Sequence, residues 1–262
     1  MSYICSACNS FFPSFQITCP DCGRWNSLRK QTAADSPGSA KPIALPKIQP
    51  FNVPRIKTRI EQLDLLLGDG FVPGSTVLLA GQPGAGKSTL LMQVLKKMNT
   101  PSLYVTGEES VQQLKLRADR LRITSPNILL LFESNMGAIL SHVNQTKTRL
   151  LVVDSIQTIY SDTMTSLPGS AMQIRKCIYV LRRLAQQQNI VLIIVGQITK
   201  DRTTAGPKLL EHAVDVVLHL DVAEDHGHDR ILHASKNRFG STAPQCLLCM
   251  RKTGLVFQRV KP

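Results

Sequence analysis

Residues 76–89 read TVLLAGQPGAGKST. TVLLA is a short apolar run of the kind that forms a buried strand. GQPGAGKST, residues 81–89, matches the pattern of a loop that cradles phosphates on backbone N–H groups. Gly81, Gly84 and Gly86 let those groups turn inward with no Cβ in the way, and Gln82, Pro83 and Ala85 complete the loop. Lys87 is expected to neutralise the β- and γ-phosphates of ATP. The Ser88 hydroxyl is expected to coordinate Mg²⁺, with Thr89 next on the helix that follows over 87–98. Strand, loop and helix in this order select an α/β fold.

The rest of the chain agrees with that choice. Strands are expected at 102–109, 127–134, 150–156 and 189–199, separated by helices from Ser110 to about Leu121, at 136–147 and at 170–187. Ser110 and Gln113 have the spacing of a capping box. The last helix carries Ile174, Ile178, Leu181 and Ala185 on one stripe. Continuous apolar strands alternating with helices predict a mostly parallel sheet covered on both faces. Four further strand-like segments, around 214–222, 230–236, 245–251 and 255–260, are expected to extend one edge antiparallel.

Parallel strands deliver their C-terminal ends to one rim, where ligands bind. Asp154 ends LLVVD there and is expected to hold Mg²⁺. Glu108 and Glu109 follow the strand after the loop helix; Glu108 is expected to polarise the attacking water, with Glu109 in support. Gln197 ends the strand IVLIIVGQ and is placed to bond the γ-phosphate. The polar loop 198–208 carries Lys200, Arg202 and Lys208, a candidate contact for DNA phosphates. EDHGHD, 224–229, reads as a β-turn rather than a metal site.

Ahead of this ATPase domain, 56–262, lie two smaller parts. Residues 1–29 hold Cys5-x2-Cys8-x10-Cys19-x2-Cys22, a spacing that suits four thiolates around a structural Zn²⁺. So short a region has little core of its own, and the metal would supply folding energy. Residues 30–55 contain five prolines and read as a semi-rigid linker. Cys177, Cys246 and Cys249 read as buried core thiols. The formal net charge is +13, and residues 1–60 carry eight Lys/Arg against two Asp/Glu. That excess points to a polyanionic partner, most simply nucleic acid. No apolar run approaches the roughly 20 residues that span a bilayer. With no signal peptide apparent, a cytoplasmic location is expected and no membrane partner.

SKNRFG, 235–240, places Lys236 and Arg238 one residue apart on a strand-like segment. Side chains at i and i+2 point the same way. Since Lys87 already serves the loop in its own chain, the pair suits a neighbouring subunit's nucleotide.

The four-cysteine finger followed by Trp25-Asn26, GQPGAGKST, YVTGEES (104–110), VVDSIQT (152–158), LPGS (167–170), VGQITKD (195–201), AGPKLLEHAVD (205–215) and SKNRFG together resemble the bacterial RadA (Sms) recombination ATPases of the RecA-like group. The resemblance spans nearly the whole sequence. It implies a RecA-like ATPase domain and a hexameric motor acting on single-stranded or branched DNA in recombination and repair, with a RecA-type recombinase as a further partner. It also marks Lys236 and Arg238 as a family signature. An ATP-switched DNA- or recombinase-binding module without translocation is the alternative. Two departures stand out. Members of the family usually continue into a Lon-protease-like domain, whereas this sequence ends at Pro262, so a chain without that domain is expected. The finger also has Phe15 and Ile17 where the family commonly has Trp and Gly.

Overall fold

The computed structural model of the chain describes residues 3–6, 10–12, 14–20, 23–30, 44–47, 54–197, 206–223 and 227–258. Near the N-terminus, β1 (Tyr3–Cys5), β2 (Phe11–Phe12) and β3 (Leu28–Lys30) form an antiparallel sheet in the order β2-β1-β3. Most of the Pro-rich stretch 30–55 lies outside the described residues.

The larger unit runs α1 (Glu61–Leu67), β4 (Thr76–Gly81), α2 (Lys87–Met98), β5 (Ser102–Thr106), α3 (Val111–Arg120), β6 (Ile128–Phe132), α4 (Met136–Gln145), β7 (Leu150–Asp154), α5 (Ala171–Gln188), β8 (Val191–Gln197), α6 (Gly206–Ala213), β9 (Val216–Val222), β10 (Asp229–Asn237), β11 (Gln245–Arg251) and β12 (Gly254–Phe257). The strands make a nine-stranded sheet in the order β12-β11-β10-β9-β4-β8-β7-β5-β6. From β9 to β6 every pairing is parallel, and β10, β11 and β12 extend the β9 edge antiparallel.

Both faces of the parallel part are buried, which is why its strands read as unbroken apolar runs. Val77, Leu79, Tyr104, Val152, Ile193 and Val195 join one core cluster with α1, α2 and α3. Leu78, Leu103, Val105, Val153, Leu192 and Ile194 join the other with α4, α5 and Leu210 of α6. The α5 stripe expected from sequence is buried, and Ser110 and Gln113 close both bonds of the capping box. Cys177 and Cys246 are buried thiols, their pKa values raised by burial to about 12 and about 11; Cys249 is half-buried.

Several elements differ from the sequence reading. The strands at 102–109 and 127–134 are shorter, ending at Thr106 and Phe132, because the chain turns away at the rim. β6 is an edge strand with Leu129 and Phe132 exposed. Residues 206–208, read as part of a polar loop, begin α6: Pro207 lies in its first turn, where a missing N–H costs nothing. The helix α1 had not been expected; Leu63, Leu66 and Leu67 bury one face, and Gly68 ends it in the left-handed conformation.

Candidate functional site

The C-terminal ends of β4, β5, β7 and β8 meet at one rim, with Thr106 opposite Asp154 and Gly81 opposite Gln197. The 81–89 loop leaves β4 at Gly81. A Cβ on Gly81 would stand 2.4 Å from the Leu220 carbonyl oxygen, so the loop can leave the sheet here only as glycine. Lys87 opens α2 and folds back into the loop. Its Nζ donates to the Gly81 and Gln82 carbonyls at 2.8 and 2.9 Å. Burial lowers the pKa of this ammonium, and the carboxylates of Asp154 and Glu108 partly offset the shift. A cation at the centre of a loop of N–H groups can take an anionic ligand in place of those carbonyls.

Asp154 ends β7 half-buried at the same place. Its Oδ2 accepts from Ser88 Oγ at 2.6 Å and also from the Tyr104 hydroxyl. Tyr104 is fully buried, and burial, reinforced by the charge on Asp154, raises its pKa well above the ordinary phenol. It therefore stays a donor and holds the carboxylate in one orientation. A hydroxyl and a carboxylate oxygen in contact form a donor set that suits Mg²⁺. Glu108 lies beside this pair and accepts from Ser155 Oγ. The approach is close: a Cβ on Gly107 would come within 2.3 Å of Thr158 Oγ1. The Thr106 hydroxyl accepts from the backbone N–H groups of both Glu108 and Glu109, which fixes the turn. Glu109 accepts two bonds from Arg117 of α3. The two glutamates therefore have different partners: Glu108 takes Ser155, and Glu109 takes Arg117, whose charge also acts on Tyr104 and Asp154.

Lys236 and Arg238 lie at the other end of the sheet. β10 runs antiparallel to β9, Lys236 pairs with Val217, and Val217 pairs with Leu78 of β4. Arg238 NH1 donates to Asp215 Oδ1 at 3.0 Å, and Asp215 Oδ2 accepts from the N–H of Thr76, the first residue of β4, at 3.0 Å. From Thr76 to Gly81 a strand rises roughly 17 Å, which exceeds the reach of an arginine. Both cations bond within the segment 211–215, although β10 ends at Asn237 and Arg238 lies in the turn that follows, outside the strand alternation expected from sequence. Lys236 Nζ donates to the Glu211 and Val214 carbonyls around the C-terminal end of α6, at 2.8 and 2.7 Å. Its pKa is lowered by burial and by the charge on Arg238. The turn between them is fixed as well. Asn237 Nδ2 donates to the Leu66 carbonyl of α1 at 3.2 Å, and Arg55 NH2 donates to the Phe239 carbonyl at 2.8 Å.

Other sequence candidates fall partly or wholly outside the described residues. These are Lys200, Arg202, Cys8, Cys22 and the side chains of Gln197 and Lys208. Cys5 and Cys19 are buried, and each opens a loop closed in the same way: Cys5 N donates to Ser10 O at 3.0 Å, and Cys19 N donates to Arg24 O at 2.9 Å. Two of the four thiols expected around a metal are thus described, both buried, and Cys8 and Cys22 lie outside the described residues. Among the described residues no group of three metal-ligating side chains is assembled. Gly227 and His228 form a turn before β10, as read from sequence. No helix among the described residues is long and apolar enough to cross a membrane.

Sequence reasoning missed Tyr104, Ser155, Arg117 and Asp215. Only Tyr104 carried a signal, because a tyrosine amid aliphatic residues in a buried strand must find a partner for its hydroxyl.

The chain matches the model of the family described as AAA domain over residues 41–203. The DNA repair protein RadA of Bacillus subtilis (strain 168) is 42% identical over 268 residues, covering 97% of this chain and 58% of that protein. The DNA repair protein RadA of Campylobacter jejuni subsp. jejuni serotype O:2 is 40% identical, covering 96% and 59%. The chain thus spans under two thirds of the length of these curated relatives. Two solved structures share the fold at lower identity. The RadB recombinase superposes with a TM-score of 0.58 at 23% identity, over 76% of this chain and 98% of its own. The KaiC-like protein PH0186 from Pyrococcus horikoshii OT3 superposes with a TM-score of 0.66 at 22% identity, over 79% and 100%.

Proposed function

The chain belongs to the AAA domain family, in its RadA branch, and from that membership we propose that it is a DNA-dependent ATPase that drives movement on single-stranded or branched DNA during recombination and repair. The observation that carries this reading is the cluster at one rim: Lys87 in the phosphate loop, Ser88 bonded to Asp154, and Glu108 beside them. The 81–89 loop binds the triphosphate, and Lys87 gives up its two loop carbonyls for the β- and γ-phosphates. Ser88 and Asp154 would hold Mg²⁺, which would neutralise charge on the phosphates when bound. Glu108 orients and deprotonates the attacking water. Glu109 supports it by fixing the turn against Arg117, and Gln197 senses the γ-phosphate.

Lys236 and Arg238 complete the site of a neighbouring subunit in a hexameric ring. Their position at the rim away from their own loop supports action in trans, since neither can reach its own nucleotide. Lys200, Arg202 and Lys208 contact DNA, and a RecA-type recombinase is a second macromolecular partner. The test is ATP turnover with and without single-stranded DNA, alongside the mass in solution. Turnover is expected to rise with DNA in an assembled ring. Turnover indifferent to DNA overturns the DNA-dependent reading, and ATP binding with negligible turnover shifts the function to an ATP-switched binding module.

The DNA loop has its own test. Lys200→Ala and Arg202→Ala are each expected to weaken DNA binding and to flatten the plot of log affinity against log salt by about 0.7 per lost phosphate contact on a single strand. An unchanged slope returns the loop to solvent.

The finger is a structural zinc site in this reading. Metal analysis is expected to find about one zinc per chain. Cys19→Ser should release it while far-ultraviolet circular dichroism of the ATPase domain is retained. Full zinc content after loss of any one of the four cysteines means the ligands have been misassigned.

A further inference from the structure

Arg230, at the start of β10, has no role in the site so far. It is 8% exposed, so it is a nearly buried guanidinium. Nε donates to the carbonyl of Ala85, inside the phosphate loop, at 2.9 Å. NH1 donates to the Gly227 and Asp229 carbonyls, both at 2.9 Å. Among the described residues no carboxylate forms an ion pair with it. Carbonyl dipoles accept from Nε and NH1, and no carboxylate among the described residues matches the charge. A buried charge without an opposite charge is costly, and an apolar side chain of similar volume in its place is often neutral or stabilising.

The register explains why it touches the loop. Arg230 pairs with Val222, two residues beyond Leu220, and the Leu220 carbonyl is the atom that crowds Gly81. It shares a sheet face with Leu232 and Ala234, which pack in the core cluster that also holds α2. Arg230 therefore sits behind the loop, on the side away from the incoming ligand. The peptide unit between Ala85 and Gly86 is planar, and its C=O and N–H point in opposite directions. A carbonyl drawn toward Arg230 sends the Gly86 N–H to the far side, into the loop. The charge on Arg230 also polarises that peptide and makes the N–H a stronger donor.

We propose that Arg230 is a positioning residue of the phosphate loop: it fixes the Ala85–Gly86 peptide with the N–H facing the ligand, and its buried charge is matched by the phosphates of a bound nucleoside di- or triphosphate. This rests on the reading of residues 81–89 as a nucleotide site.

The experiment uses Arg230→Met and Arg230→Lys in the full chain. It measures thermal unfolding without nucleotide, MgATP and MgADP affinity, and the separate values of kcat and KM. Nucleotide-free Arg230→Met is expected to melt at or above the wild-type temperature, because an unmatched charge has been removed. Its affinity for MgATP and MgADP is expected to fall about 10- to 100-fold, the worth of a charged hydrogen bond. The loss should appear in KM more than in kcat. Arg230→Lys, which keeps the charge, is expected to recover most of the affinity. A purely structural arginine gives the reverse pattern, a lower melting temperature without nucleotide and unaltered affinity, and that result overturns the proposal. If Arg230→Met does not fold, Arg230→Gln decides. Glutamine can still donate to Ala85 but carries no charge, so wild-type affinity in that variant also overturns the proposal. Wild-type protein that shows no nucleotide-induced stabilisation defeats the nucleotide reading itself, which separates the two failures.

Discussion

Arg238→Ala is expected to lower ATP turnover by about 10³-fold, and mixing it with Lys87→Ala is expected to restore activity that neither protein has alone. Arg238 is anchored at the level of Thr76, while the phosphate loop begins beyond Gly81 at the other end of β4. With Arg238 half-exposed, its guanidinium is already accessible to an adjoining molecule. A phosphate oxygen on that molecule would compete with Asp215, which keeps its bond from Thr76 N and its contact with Arg182. Rate loss of this size corresponds to about 4 kcal/mol of transition-state stabilisation. The mixed assembly has simple arithmetic. A working contact needs an intact loop from an Arg238→Ala subunit and an intact Arg238 from a Lys87→Ala subunit. With equal amounts and random order, about a quarter of head-to-tail contacts meet both conditions. Turnover should therefore approach a quarter of wild type. If mixed assemblies form, as judged by mass, and stay inactive, Arg238 does not act in trans.

Glu108→Gln is expected to keep ATP binding and lose hydrolysis by about 10²- to 10⁴-fold. The substitution is nearly isosteric, and the amide oxygen can still accept from Ser155 Oγ, so the turn on Thr106 should persist. What disappears is the base: an amide cannot take a proton from the attacking water. A binding titration and a single-turnover measurement on the same preparation separate the two effects. Full turnover would move the role to another group. Glu109 is poorly placed to take it over, because its carboxylate is bound in a fork by Arg117.

These assignments were legible to unequal degrees. The loop, its flanking strand and helix, and the Asp154 strand end could be read because each is a local pattern. Ser110 and Gln113 are likewise three residues apart, and their two bonds formed as read. The sequence period suggested one side for Lys236 and Arg238, but β10 ends at Asn237 and Arg238 sits in the turn beyond it. What those cations touch did not follow. Lys236 bonds to the end of α6, a helix whose first residues read as polar loop, and Asp215 binds Thr76 across 139 residues of sequence. Arg230 was hidden for the same reason, since Ala85 lies 145 residues away and only the strand order β10-β9-β4 brings the two together. Short-range chemistry writes itself into the sequence, whereas partners assembled by sheet order do not. A seven-residue helix such as α1 falls between these cases, because it is too short to establish a period.

Trp25 is the chain's one tryptophan. It bridges Thr18 in the N-terminal unit and is 71% exposed. Red-edge excitation therefore isolates a single fluorophore outside the nine-stranded sheet. Its emission spectrum reports on the cysteine-bearing segment, whose Cys5, Cys19 and Leu28 share a core cluster with α4 and α5, and collisional quenchers should reach it freely. A chelator titration followed at that wavelength would test the cysteine-bearing segment for bound metal, with an emission that arises from no residue of the nine-stranded sheet. Any change in Trp25 emission on adding ATP would then be a direct signal that the two parts of the molecule communicate.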